Sequence, residues 1–177
     1  MKAGRKQEEY MDTYVEWLVE KKPNPLNTVI RIACYTLTGV FFLAGLFIFA
    51  PLFAGGILML AADFILLPML DVEYEYLFLQ RSLTIDRIYS KEKRKKAAEY
   101  ELDKMEFFAE EGTDEFLRYK DTAEKKADFT SGYEDRRRFV LIVHDENAII
   151  RVLLEPDDKT VEAIKQLYPS KVFIKRY

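Results

Sequence analysis

The chain has 177 residues, 49% hydrophobic and 32% charged, with a net charge of −3, one cysteine and one histidine. A single cysteine, Cys34, excludes an intrachain disulfide and a thiolate zinc cage, and the slight acidic balance gives no electrostatic support to bulk nucleic-acid binding. The averages conceal a segregation. Residues 32–70 carry one charged side chain, Asp63, whereas residues 1–31 hold six Lys/Arg and five Asp/Glu, and residues 71–177 hold twenty-one and twenty-four.

Residues 7–22, QEEYMDTYVEWLVEKK, place Tyr10, Met11, Tyr14, Trp17 and Leu18 at helical spacing. This predicts a short amphipathic helix that lies at headgroup level or packs on the C-terminal domain. Pro23 and Pro25 in KKPNP then predict an extended connection closing this segment near residue 26.

The apolar block of residues 27–70 has room for two spans, since about 20 residues cross a hydrocarbon core of roughly 30 Å as a helix. They are placed at about 29–49 and 53–70, with Pro51 and the Gly55–Gly56 pair at the turn. Gly39, Gly45, Ala61 and Ala62 would let the two helices approach closely. The block begins too late and runs too long for a cleaved signal. Lys21, Lys22 and Arg31 before it, and Arg81, Arg87, Lys91, Lys93, Arg94, Lys95 and Lys96 after it, contrast with a turn that has no basic residue. That contrast predicts a multi-pass protein of the cytoplasmic membrane with both termini cytoplasmic. Asp63 has two readings: part of a proton or ion path in an oligomeric transport or channel component, or a structural carboxyl bonded to Thr36 or Thr38 or set at an oligomer contact. The second is preferred because Asp63 lies near the cytoplasmic end.

From Asp71 the period changes to two. Tyr74, Tyr76 and Phe78, then Leu83 and Ile85, read as a hairpin; Ala98, Tyr100 and Leu102 read as a third strand continuing or restarting through residues 105–108. Residues 110–137 are polar and weakly periodic, with room for one short strand or helix. Residues 138–144 and 148–154 form a second hairpin around Asp145, Glu146 and Asn147. Pro156, Asp157 and Asp158 open a final helix over about 157–168, with Val161, Ile164 and Leu167 as its apolar stripe. Strands followed by one amphipathic helix imply a small sheet or barrel with the helix packed on it, formed by residues 71–177.

Enzyme signatures are absent: there is no GxSxG, HExxH, Walker loop or dinucleotide glycine pattern. His144, beside Asp145 and Glu146, is a weak catalytic candidate, and no catalytic residue, metal or cofactor is expected. The concentrated polar feature is KEKRKK, residues 91–96, placed between the second and third strands. Lys91, Lys93, Arg94, Lys95 and Lys96 are candidate lipid or partner contacts there, each basic residue near an anionic surface contributing about 1 kcal/mol. Arg136–Arg137–Arg138 reads as a solvated strand end.

Two spans followed by EYEYLFLQRSLTIDRIYSKEKRKKAAEYELDKMEFF, a terminal hairpin and PDDKTVEAIKQLYP resemble small bacterial membrane proteins with a pleckstrin-homology-like domain. The chain is similar, from EWLVEKK onward, to an uncharacterised two-span family of Firmicutes. The resemblance implies a seven-stranded bent barrel capped by a C-terminal helix and carries over no catalytic or lipid-binding residue. The expectation is an α+β membrane protein whose cytoplasmic module binds or scaffolds. Its expected partners are the bilayer, anionic headgroups, and a protein partner or second copy.

Overall fold

The computed structural model describes residues 14–145 and 148–175. They form two compact units, one of Lys22–Val72 with Tyr89–Lys93, the other of Glu73–Ile88 with the described residues before Lys22 and those from Arg94 onward.

In the first unit, α1 (Pro25–Phe47) and α2 (Pro51–Leu66) are antiparallel neighbours in sequence, and a 3-10 turn over Leu67–Leu70 extends α2. Both helices are long and apolar enough to cross a membrane. The helix starts four residues earlier than expected, because Pro25 is a first-turn residue and not a breaker. Asn24 accepts the N–H of Leu26 through its side chain at 2.9 Å, and a proline at that position forfeits only an N–H that would have no helical partner. The turn also lies earlier than expected, over residues 48–50. Pro51 opens α2 and Gly55–Gly56 lie inside it, while the N–H groups of Ile48 and Phe49 both reach the Ala44 carbonyl, at 2.8 and 3.0 Å. The glycines serve packing instead: a Cβ on Gly45 would meet the Phe53 nitrogen at 2.3 Å, and Gly55 and Gly56 lie under the rings of Phe41 and Phe42.

The second unit contains two sheets. β1 (Tyr14–Glu20), β2 (Val72–Leu79), β3 (Ser82–Tyr89) and β4 (Lys93–Glu101) lie side by side in that order. The other sheet has the order β6-β8-β7-β5-β9, formed by β5 (Met105–Glu110), β6 (Lys125–Asp128), β7 (Phe139–Asp145), β8 (Ala148–Leu154) and β9 (Val172–Phe173).

β1 corrects the expected N-terminal helix; residues 7–13 of that expectation lie outside the described residues. The segment pairs antiparallel with β2, Trp17 opposite Tyr76 and Val19 opposite Tyr74. Its β-branched and aromatic residues suit a pleated surface, and β2 offers a ladder that an isolated short helix would lack. The β module therefore begins before the helical hairpin and is interrupted by it, so it is not confined to residues 71–177.

The described residues hold nine strands in two sheets, where a seven-stranded barrel was expected. β6 runs parallel to β8, and β9 parallel to β5. The tract 110–137 supplies β6 and a single helical turn, α3 (Asp114–Leu117). Phe116 and Tyr119 from this tract cover Phe107, Ala109, Val140 and Ile142, one face of the second sheet. On the opposite face Phe108 stacks on Phe139 at 4.9 Å, among buried Leu141, Val152 and Leu154. β7 is consequently buried on both faces over its first five residues. α4 (Asp158–Leu167) is capped by Asp157, whose carboxylate accepts the Thr160 N–H at 3.0 Å.

Polar bonds tie the sheets together. The Trp17 indole N–H donates to the Glu155 carbonyl at 2.9 Å, and the Tyr76 hydroxyl donates to the Phe129 carbonyl at 2.8 Å while accepting the Glu155 N–H at 3.2 Å.

Candidate functional site

The basic run is distributed differently from the sequence expectation. Its connecting turn is confined to residues 90–92, and Lys93–Lys96 belong to β4, which lies at the edge of its sheet. Successive strand side chains point to opposite faces, so these cations do not make one patch. Arg94 pairs with Glu75 at 3.0 Å and Lys96 pairs with Glu99. Lys91 lies in the turn, where it and Ser90 have φ values of 63° and 51°. Two consecutive left-handed residues make a tight hairpin turn that normally favours glycine or asparagine. Ser90 is held in it by its N–H bond to the Asp71 carbonyl at 2.9 Å, and the Glu92 N–H closes the turn on the Tyr89 carbonyl at 3.1 Å. The basic turn is thus attached to the charged end of the helical hairpin.

That end has its own polar clasp, which composition alone did not reveal. Arg31 pairs with Asp71 at 2.6 Å, and the Asn27 side chain donates to the Leu70 carbonyl at 3.0 Å. Deeper in the hairpin, the Thr38 hydroxyl donates to Asp63 Oδ2 at 2.6 Å, and both side chains are buried. Thr36 bonds the Ile32 carbonyl of its own helix at 2.7 Å. Of the two hydroxyl partners open to Asp63, Thr38 is the one the helix pairing supplies.

His144 sits near the end of β7, with Nε2 2.6 Å from Glu106 Oε2, and the other Glu106 oxygen accepts the Tyr119 hydroxyl at 3.2 Å. This acidic partner comes from β5; Glu146 lies outside the described residues. Among the described residues no His/Cys/Asp/Glu group is arranged to hold a metal ion.

Arg137 and Arg138 of the arginine run are ion-paired, where a solvated strand end was expected. Arg137 joins Glu110 at 2.8 Å and also engages Asp158, and Arg138 grips both oxygens of Glu111 at 2.8 and 2.6 Å. Burial opposes ionisation of Glu110, yet the Arg137 guanidinium and the Lys175 N–H hold its carboxyl below the usual range.

A further cluster lies on the outer face of the β1–β2 pair. The Tyr14 hydroxyl donates to Glu16 Oε2 at 2.7 Å. Glu75, whose side chain is 3% exposed, gives Oε1 to Arg94, while its Oε2 has no donor in reach. Burial and the adjoining Glu16 push the Glu75 carboxyl up, and the Tyr14 hydroxyl and Glu75 hold Glu16 down. The sequence pattern singles out neither residue; the register that brings them together exists only once β1 is a strand.

These features define an α+β module of two sheets with a C-terminal helix, carrying an apolar helical hairpin after β1. Residues 11–174 match the family described as Bacterial PH-like domain (DUF6106), and the chain belongs to that family. No curated protein and no solved structure matches it.

Proposed function

We propose that this protein is anchored in the cytoplasmic membrane by α1 and α2 and holds its PH-like module against the inner face as a binding or scaffolding platform, with both termini cytoplasmic. The observation that carries the reading is the insertion of the apolar hairpin between two strands paired residue for residue, from Tyr14 opposite Leu79 to Glu20 opposite Glu73. A chain that enters the bilayer after β1 must return to the same side to complete the sheet. Two spans meet that condition and one does not. The exposed faces of α1 and α2 are lined by residues such as Val29, Leu43, Leu46, Leu58 and Phe64, which suit a lipid solvent and would form an unusually large apolar patch in water.

Lys91 in the turn and Lys93 at the start of β4 are the favoured headgroup contacts, because both belong to the same compact unit as the hairpin and the turn is bonded at Asp71. Arg94 and Lys96 are drawn toward Glu75 and Glu99.

The test uses the full chain in proteoliposomes, because a fragment from residue 71 would lack β1. Anchoring is measured by resistance to alkaline extraction and by labelling of cysteines introduced beyond either end of the hairpin, in a Cys34→Ser background, with an impermeant maleimide. Labelling from opposite sides would overturn the topology. Lipid contact is measured by amine acylation resolved by residue: Lys91 and Lys93 should be protected in anionic bilayers relative to zwitterionic ones, and equal modification would remove the lipid role while leaving the anchor intact.

A further inference from the structure

Outside the helical hairpin, the described residues expose four large apolar side chains: Tyr14, Leu18, Leu79 and Leu117. Three of the four fall on one face. The register sets Tyr14 opposite Leu79, Glu16 opposite Leu77 and Leu18 opposite Glu75, and directly paired residues project to the same side of a sheet. The outward face of β1–β2 is therefore an apolar surface of Tyr14, Leu18, Leu77 and Leu79 around two carboxyls.

The centre of that surface is acidic and incompletely matched. Glu16 is met by the Tyr14 hydroxyl, Glu75 Oε1 by Arg94, and Glu75 Oε2 by no donor although the side chain is buried. Asp86 of β3 adds a further negative charge to the surroundings of Glu75. A desolvated acceptor ringed by exposed apolar side chains is the arrangement of an interface hot spot, with the missing donor on the partner.

The charge selects the occupant. An anionic membrane surface would face like charge, and a second copy of the same face would set carboxyl against carboxyl. We infer that the outer face of β1–β2 docks a basic amphipathic segment of a protein partner, its aliphatic side chains on Tyr14, Leu18, Leu77 and Leu79 and a lysine or arginine on the Glu16–Glu75 pair. This deepens the binding-platform reading without depending on the lipid contact of the basic turn.

The experiment places a photoreactive phenylalanine analogue at position 18, and in a control protein at position 117, in the full chain held in zwitterionic nanodiscs. The probes are two synthetic 18-residue peptides with leucine at helical spacing and either lysine or glutamate at the polar positions. Crosslinking reads local docking and is blind to peptide that merely partitions into lipid. The lysine peptide should crosslink at position 18 at least about tenfold more than the glutamate peptide, and more than at position 117. Glu16→Gln with Glu75→Gln should remove that preference with the fold intact, as checked by Trp17 fluorescence. Equal yields from both peptides, equal yields at both positions, survival of the preference in the double variant, or crosslinking of the chain mainly to itself or to lipid would each overturn the inference. Extraction and maleimide labelling on the same nanodisc preparation separate its failure from failure of the membrane anchor.

Discussion

Replacing Tyr76 by phenylalanine removes one oxygen and preserves the ring, yet it strips two bonds from the junction of the sheets. The side chain is 1% exposed, its hydroxyl donates to the Phe129 carbonyl, and it accepts the Glu155 N–H. Both backbone groups would be left buried without a partner, at about 1–3 kcal/mol each before relaxation, so Tyr76→Phe is expected to destabilise the module by about 2–4 kcal/mol. That is a large part of the roughly 5–15 kcal/mol that holds a typical domain folded. The chain has a single tryptophan, and Trp17 bonds the Glu155 carbonyl beside the affected N–H. Denaturant titration of the full chain in micelles, followed by Trp17 emission, should show an earlier midpoint with an unchanged slope. Tyr168→Phe, which breaks an exposed bond to Asp103, should lower stability by only about 0.5 kcal/mol. A Tyr76→Phe loss as small as that control would refute the argument, because it would mean water reaches the junction.

The same emission signal tests two carboxyls with opposite pH behaviour. Glu110 binds its proton more weakly when folded, through Arg137 and the Lys175 N–H against burial, so its contribution is full above the ordinary carboxylate range and fades as pH falls through the lowered folded value. Glu75, raised by burial and Glu16, binds its proton more tightly when folded, so its contribution is full below that range and fades as pH rises through the raised value. Glu110→Gln should therefore lower the midpoint most at neutral pH, and Glu75→Gln should maintain or raise it there; identical pH profiles for the two variants would contradict the assignments. In the hairpin, a methyl group on Gly45 would strike the Phe53 backbone, whereas Gly39 has nothing within 4 Å. Gly45→Ala should cost about 1–3 kcal/mol and Gly39→Ala nothing, measured by the loss of helical circular dichroism in increasing dodecyl sulfate. Thr38→Val leaves Asp63 without its hydroxyl donor and should cost about 0.6–1.7 kcal/mol in the same assay.

The hairpin was legible because its signal is compositional: thirty-nine residues with one charge need no tertiary information. β2 and β3 were legible because Tyr74, Tyr76, Phe78, Leu83 and Ile85 alternate cleanly. β1 was not, since Tyr14, Trp17 and Leu18 fit a helical period while Val15, Trp17 and Val19 fit a strand, and the decision rests with a partner strand beyond the hairpin. The polar pairs divide in the same way. Thr38 was within reach as a partner for Asp63 because two helices joined by a short turn bring predictable positions together. The links of His144 to Glu106, Glu16 to Glu75 and Arg94 to Glu75 depend on sheet register, which no local pattern encodes. The basic run was visible, but its division between a turn and two faces of an edge strand depended on β4 beginning at Lys93.

Insertion of the hairpin also bears on how the sheet is assembled. β1 precedes every other described element in the chain, yet its partner β2 is separated from it by residues 21–71. Closing a flexible loop of that length carries an entropic cost of about 3–4 kcal/mol, a large charge against a seven-residue edge strand. Pairing of α1 with α2 removes most of that freedom: the Asn27 bond to Leu70 and the Arg31 pair with Asp71 draw the two ends of the hairpin together. The strand then meets β2 as a nearly local neighbour. Gly45→Ala and Thr38→Val should therefore lower the Trp17 transition as well as the helical one, although neither residue belongs to the β module. If Trp17 emission proved indifferent to a hairpin loosened by these substitutions, β1 would be held by its own sheet contacts alone, and the helix pair would contribute anchoring without contributing closure.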